Sequence, residues 1–238
     1  MDLILDIGNT RTKYLVGKHL GIVEEFTQEA IDELFTTFKD INSCIISSVK
    51  NLDSNLINYI SKKVSVFILF NQLTPIPIIN LYAQPENLGK DRLAGVIGAY
   101  TIFPNEPVLV VDLGTAITFD FIDSNKNYLG GTISPGLNTR FKSLNLFTDK
   151  LPLCEPNDSE YLFAANTEDA IVSGVQNGII FEIEGYINAF SKKYPKLKTI
   201  ITGGDSINFA KKLKKPIFAE PNLIFIGLKT ILKYNAKN

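Results

Sequence analysis

Two stretches of this chain place a carboxylate, a glycine and a threonine where an apolar run ends. They are LILDIGNTRTKYLV at 3–16 and LVVDLGTAITFDFI at 109–122. Each reads as strand, aspartate, glycine turn, second strand. Asp6 and Asp112 therefore stand at hairpin mouths beside bare backbone N–H groups. Glycine lets a phosphate approach closely, and successive amides can cradle an anion. The carboxylate can hold a cation that neutralises nucleotide phosphates, and Thr10, Thr12 and Thr115 add hydroxyls. A single such turn is more readily a plain hairpin with an Asx turn. Two copies at corresponding places favour a phosphate site.

Gly89-Lys90-Asp91-Arg92 opens a predicted helix. A first-turn acid suits the helix dipole, so Asp91 is accounted for by helix electrostatics alone. The sharper reading, which helix statistics alone do not favour, has it accept a proton from an attacking hydroxyl, with Arg92 gripping an acidic substrate and Tyr82 lining the same pocket. Gly130-Gly131 through Gly136 joins a strand to a helix, and so does Thr202-Gly203-Gly204-Asp205, which could admit a flat adenine or ribose against backbone. Asn166 or Thr167 is the N-cap candidate of a long helix. His19 reads as an exposed turn residue without a partner, and the lysines at 211, 212, 214 and 215 as a solvated face.

Positioning these groups takes two similar halves. Strands are predicted over 2–7, 12–16, 21–26, 43–49 and 64–70, with helices from Ile31, over 53–63 and from Lys90 to Ile102. The plan then restarts with strands over 107–112, 116–122 and 128–134. Helices follow over 136–147 and 167–191, then a strand over 198–201, a helix from Ser206, a short strand near Ile217 and a last helix over 222–234. A three-stranded meander feeding a βαβ unit, made twice, gives lobes at 1–105 and 106–238, parted where Pro104 and Pro107 break the helix. Two such halves would enclose a cleft suited to ligands.

The bulk properties narrow the class. In 238 residues, 24 basic and 25 acidic side chains nearly cancel, so no nucleic-acid or acidic-membrane partner is expected. Cys44 and Cys154 have no zinc spacing and are expected to be reduced. MDLILDIGNT lacks a basic signal-peptide start, and no apolar run is long enough for a bilayer. A cytoplasmic protein is expected.

Taken in order, the motifs resemble those of type III pantothenate kinases. They are DIGNTRTK at 6–13, Tyr82 ahead of GKDR at 89–92, DLGTAIT at 112–118, LGGTISPG at 129–136, NT at 166–167, SGV at 173–175, TGGD at 202–205 and PNLIFIGL at 221–228. The resemblance spans nearly the whole chain. It implies an α/β, duplicated ribonuclease H-like fold of the actin-like ATPase type, with two lobes and an interdomain cleft. It implies a homodimeric enzyme that phosphorylates pantothenate to 4'-phosphopantothenate with ATP and magnesium, opening coenzyme A biosynthesis. By the same resemblance, Asp6, Ile7, Gly8, Asn9, Thr10, Arg11, Thr12, Lys13 and Thr115 bind ATP, and Asp91 is the proton acceptor. Tyr82, Gly89, Lys90, Arg92 and Thr167 surround pantothenate, and Asp112 ligates a monovalent cation, potassium or ammonium. Lys90 and Ile117 depart from the family, which usually has a small residue and a threonine there. Lys90 would lower the pKa of the neighbouring base. The alternatives are another small-molecule kinase, or a non-catalytic accessory protein on the same scaffold; the three intact aspartates speak against loss of catalysis.

Overall fold

Side-chain alternation decides the first sheet. In β1 (Asp2–Ile7), Leu3, Leu5 and Ile7 join one apolar cluster, while Ile4 and Asp6 point to the other face. β1 pairs antiparallel with β2 (Thr12–Val16), which pairs with β3 (His19–Val23). After α1 (Gln28–Thr37), β4 (Ser43–Ser48) returns parallel to β1. After α2 (Ser54–Lys63), β5 (Val66–Leu69) joins parallel to β4. The order is β3-β2-β1-β4-β5. Both helices start at side-chain caps, Thr27 on the Ala30 N–H and Asp53 on the Asn55 N–H. Their apolar faces, with Ile31, Leu34 and Ile60, cover the Leu3–Leu5 face of the sheet. The chain then runs through a two-residue extended piece, β6 (Ile79–Asn80), and a 3-10 turn at Pro85–Asn87 to α3 (Lys90–Ile102). This computed structural model describes residues 1–8, 11–158 and 162–236.

The second unit repeats the first sheet's plan. β7 (Val108–Leu113) pairs antiparallel with β8 (Ala116–Ile122), and β8 with β9 (Asn127–Pro135). After α4 (Leu137–Leu146) and α5 (Thr167–Lys193), β10 (Lys198–Thr202) pairs parallel with β7. After the short α6 (Ser206–Ala210), β11 (Phe218–Ala219) pairs parallel with β10. Within this unit the order is β9-β8-β7-β10-β11. Leu109, Val111 and Leu113 pack with Phe141 of α4 and with Ile179 and Ile183 of α5. Asp112, like Asp6, lies one residue from the end of its strand on the opposite face.

The last helix corrects the expected lobes. The two compact units are Met1–Ile102 with Leu223–Asn238, and Phe103–Asn222. The C-terminal helix α7 (Leu223–Asn235) thus belongs to the first unit and not to a lobe over 106–238. It packs on α3, β1 and β4. The reason is steric as well as apolar. Gly227 lets the two helices cross so closely that a Cβ there would stand 1.8 Å from the Ala94 carbonyl oxygen. Residues Leu93 to Ala99 of α3 are all buried as a result.

One local reading also changes. His19 begins β3 instead of lying in the turn, and its ring packs 5.4 Å from that of Phe38. Both cysteines are free thiols. Cys44 is fully buried, and that burial pushes its thiol pKa up.

Candidate active site

The first unit holds two carboxylates near one another. Asp6 is flanked in register by Lys13 on β2 and Ser47 on β4. Burial, then the negative charge of Asp91, push its carboxyl from the ordinary 3.8 to about 6, against the pull of Lys13. Asp91 comes from the first turn of α3, where its Oδ1 accepts the Arg92 N–H at 2.9 Å. That carboxylate lies over Gly89. A Cβ at position 89 would be 2.5 Å from the same oxygen.

The neighbouring cations have separate tasks. The Lys90 ammonium donates to the Ser48 carbonyl at 2.9 Å, tying the start of α3 to the end of β4. The Arg92 guanidinium lies 5.7 Å from the centre of the Tyr82 ring, within cation–π range. Arg92 and Tyr82 thus bring a cation and an aromatic ring together next to Asp91 in the chain.

The first hairpin contributes mostly backbone. The Ile7 side chain is part of the core. Gly8 donates its N–H to the Arg11 carbonyl at 3.0 Å. Thr12 is buried, and Arg11 and Lys13 are exposed. Asn9 and Thr10, expected at the phosphates, lie outside the described residues.

In the second unit Asp112 has Thr118 and Thr202 beside it in register. The turn after β10 folds directly onto it. Gly203 has φ +92°, and a Cβ there would stand 2.4 Å from the Asp112 Oδ1 and 2.5 Å from the Leu113 carbonyl oxygen. Thr115 is exposed at the tip of the β7–β8 turn. Thr167 is the first residue of α5; the cap is Asn166, which accepts the Asp169 N–H at 2.9 Å.

Sequence reasoning missed a cavity of about 510 Å³ in this unit, lined by Leu137, Gln176, Asp205, Asn208, Lys211 and Lys212 among others. Burial raises the pKa of Asp205 there. Lys211 and Lys212, expected on a solvated face, border this cavity. The available signal was their position one short helix after the Thr202–Asp205 turn.

Among the described residues, no three His, Cys, Asp or Glu side chains gather as a metal cage. Single carboxylates such as Asp6 and Asp112 suit ions that keep most of their other ligands as phosphate oxygens or water.

Comparison with known proteins shows the family. A family model described as type III pantothenate kinase matches residues 2–189. A type III pantothenate kinase of Bacteroides fragilis is 41% identical over 239 residues, covering 99% of this chain and 98% of that one. One from Christiangramia forsetii is 42% identical over 241 residues, covering 99% of each. Among solved structures, a Campylobacter jejuni protein described as a Baf family transcriptional activator is similar at TM-score 0.64 and 28% identity, with 99% and 100% of the two chains covered. A glucokinase from an Antarctic psychrotroph, at TM-score 0.52 and 10% identity with 98% of each chain covered, shares the actin-like kinase fold.

Proposed function

The chain belongs to the type III pantothenate kinase family, and on that premise we propose which of its side chains carry the ATP-dependent phosphorylation of pantothenate that opens coenzyme A biosynthesis. Asp91 is the proton acceptor. It orients the primary hydroxyl of pantothenate and takes its proton as that oxygen bonds to the γ-phosphorus of ATP. The bond from that phosphorus to the bridging oxygen breaks, and ADP leaves with the electron pair. Arg92 and Tyr82 hold the pantothenate carboxylate, and Gly89 and Lys90 complete its surroundings. The carrying observation is the position of Asp91: a carboxylate over Gly89, near enough to Asp6 for its charge to be felt there, and next in the chain to the Arg92 that stacks on Tyr82.

The hairpin over 6–13 and Thr115 receive ATP. Asp6 fits a divalent ion carried in on the nucleotide, an ion that neutralises charge on the phosphate oxygens when bound. Asp112 is the ligand for a monovalent cation, potassium or ammonium. Its support is a carboxylate against which the Gly203 turn packs closely. Such positioning and charge neutralisation supply most of the catalysis in phosphoryl transfer.

The same reading makes the protein a cytoplasmic homodimer. No helix among the described residues is long and apolar enough to cross a membrane. The second unit exposes Leu146, Phe147 and Phe163, apolar surface that association could cover. Light scattering coupled to gel filtration tests the dimer. For the activity, the test is ADP release by purified protein with pantothenate, with and without potassium, beside Asp91→Asn. Full turnover by that variant would remove Asp91 from its role.

A further inference from the structure

Thr115 is held from behind by the first turn of α4. Its carbonyl accepts the Gly136 N–H at 3.0 Å and the Thr139 hydroxyl at 2.7 Å. A Cβ at position 136 would stand 2.1 Å from the Gly114 carbonyl oxygen and 2.6 Å from that of Thr115. The β9–α4 connection therefore lies flat on the β7–β8 turn. Arg140 fixes this connection from its other side. Its Nε donates to the Pro135 carbonyl at 2.8 Å, and its outer nitrogen reaches the Ser134 hydroxyl at 3.4 Å and pairs with Glu182 of α5.

Local rules do not explain these two side chains. The N-cap of α4 is Gly136, which has no side chain to cap the helix, yet the Thr139 hydroxyl is given to another element. A cation in the first turn opposes the helix dipole. Arg140 holds that place only through partners on β9 and α5. Departures of this kind concentrate at functional sites.

We infer that Thr139 and Arg140 are positioning residues for the Asp112–Thr115 turn, setting where Thr115 meets the nucleotide. Neither touches substrate. The inference rests on the reading of Thr115 as an ATP contact.

The test is steady-state kinetics on Thr115→Ala, Thr139→Val, Thr139→Ser and Arg140→Gln, with melting temperatures alongside. Thr115→Ala raises KM for ATP. Thr139→Val raises it by about fivefold, the worth of one hydrogen bond, while KM for pantothenate stays within about twofold. Thr139→Ser keeps the hydroxyl and restores KM for ATP. Arg140→Gln raises KM for ATP with the same selectivity. If Thr115→Ala raises that KM but Thr139→Val and Arg140→Gln do not, the inference fails and the reading of Thr115 survives. If the two KM values rise together as the melting temperature falls, α4 is only structural, and the inference fails again. If Thr115→Ala leaves KM for ATP unchanged, the reading of Thr115 falls and takes this inference with it.

Discussion

The carboxyls of Asp6 and Asp91, brought together from β1 and the start of α3, lie close enough that the Asp91 charge adds to burial in holding the Asp6 proton up to about pH 6. A single hairpin would leave Asp6 a solvated turn residue. In the fold β4 returns parallel beside it, and burial raises its pKa instead. The site therefore carries a destabilising charge in the protein without nucleotide, as functional sites commonly do.

That charge has a signed consequence for stability. The folded protein holds the Asp6 proton more tightly than the unfolded chain does, with pKa about 6 against 3.8. The resulting stability is fully present below about pH 3.8 and is lost as pH rises through about 6. Asp6→Asn removes the ionised group. Without nucleotide, the variant is more stable than the parent at about pH 8 by up to roughly 3 kcal/mol, and this gain vanishes near pH 4. Urea unfolding at both pH values checks it. Equal stability at about pH 8 would show that folding does not raise the Asp6 pKa. The same variant binds ATP and magnesium more weakly.

Gly89 tests the base more finely than replacing the base itself. Asp91→Asn lowers kcat by about a hundredfold or more. Gly89→Ala leaves the carboxylate intact but puts a methyl group 2.5 Å from its Oδ1. The obstructing atom ends a short side chain, so Asp91 can swing aside and the fold survives. Expected are a melting temperature within a few degrees of the parent and a kcat reduced at least tenfold, since about an ångström of misplacement is that costly. Parental kcat in Gly89→Ala would mean that the Asp91 position in the structure is not the one used.

Much of this was legible because it is local. The Asp6 and Asp112 turns and the start of α3 at Lys90 are written in residues that neighbour one another in the chain. What escaped depends on contacts between distant segments. Nothing near residue 227 says that α7 returns to α3; Gly227 has meaning only when Ala94 lies against it. Thr139 and Arg140 read as ordinary helix residues until Thr115, Pro135 and Glu182 are brought to them. Lys90 could be expected beside the base, but only the arrival of β4 reveals the Ser48 carbonyl as its partner. Asn166 rather than Thr167 caps α5 because of where the helix starts, the feature of a helix that sequence fixes least well.

Gly203 links the fold to the proposed cation site. Its φ of +92° disfavours any side chain, and an added Cβ would meet the Leu113 carbonyl oxygen as well as the Asp112 carboxylate. Gly203→Ala should cost at least about 2 kcal/mol, since the backbone strain alone accounts for 1 to 3. The variant that remains folded should need more potassium for half-maximal activity. Denaturant unfolding and potassium titration of the rate read the two effects separately. A variant with parental stability and potassium response would show that the turn does not rest on Asp112.

Gly227 sets two physical effects against each other. In an open helix, Gly→Ala stabilises by about 1 kcal/mol through propensity alone. Here the new Cβ would stand 1.8 Å from the Ala94 carbonyl oxygen, and backbone cannot give way as a side-chain end can. Either α7 moves off α3 or the crossing is strained. The buried side chains Leu223, Phe225, Leu228, Ile231 and Leu232 oppose its moving. The steric effect should win, and Gly227→Ala should be destabilised by about 3 kcal/mol. Because α7 also packs on β1 and β4, the loss should reach the Asp6 site and lower activity before the chain unfolds. Thermal unfolding followed beside the rate of ADP release distinguishes the outcomes. A stabilised, fully active Gly227→Ala would mean that the two helices do not cross at this distance and that α7 is not a fixed part of the first unit.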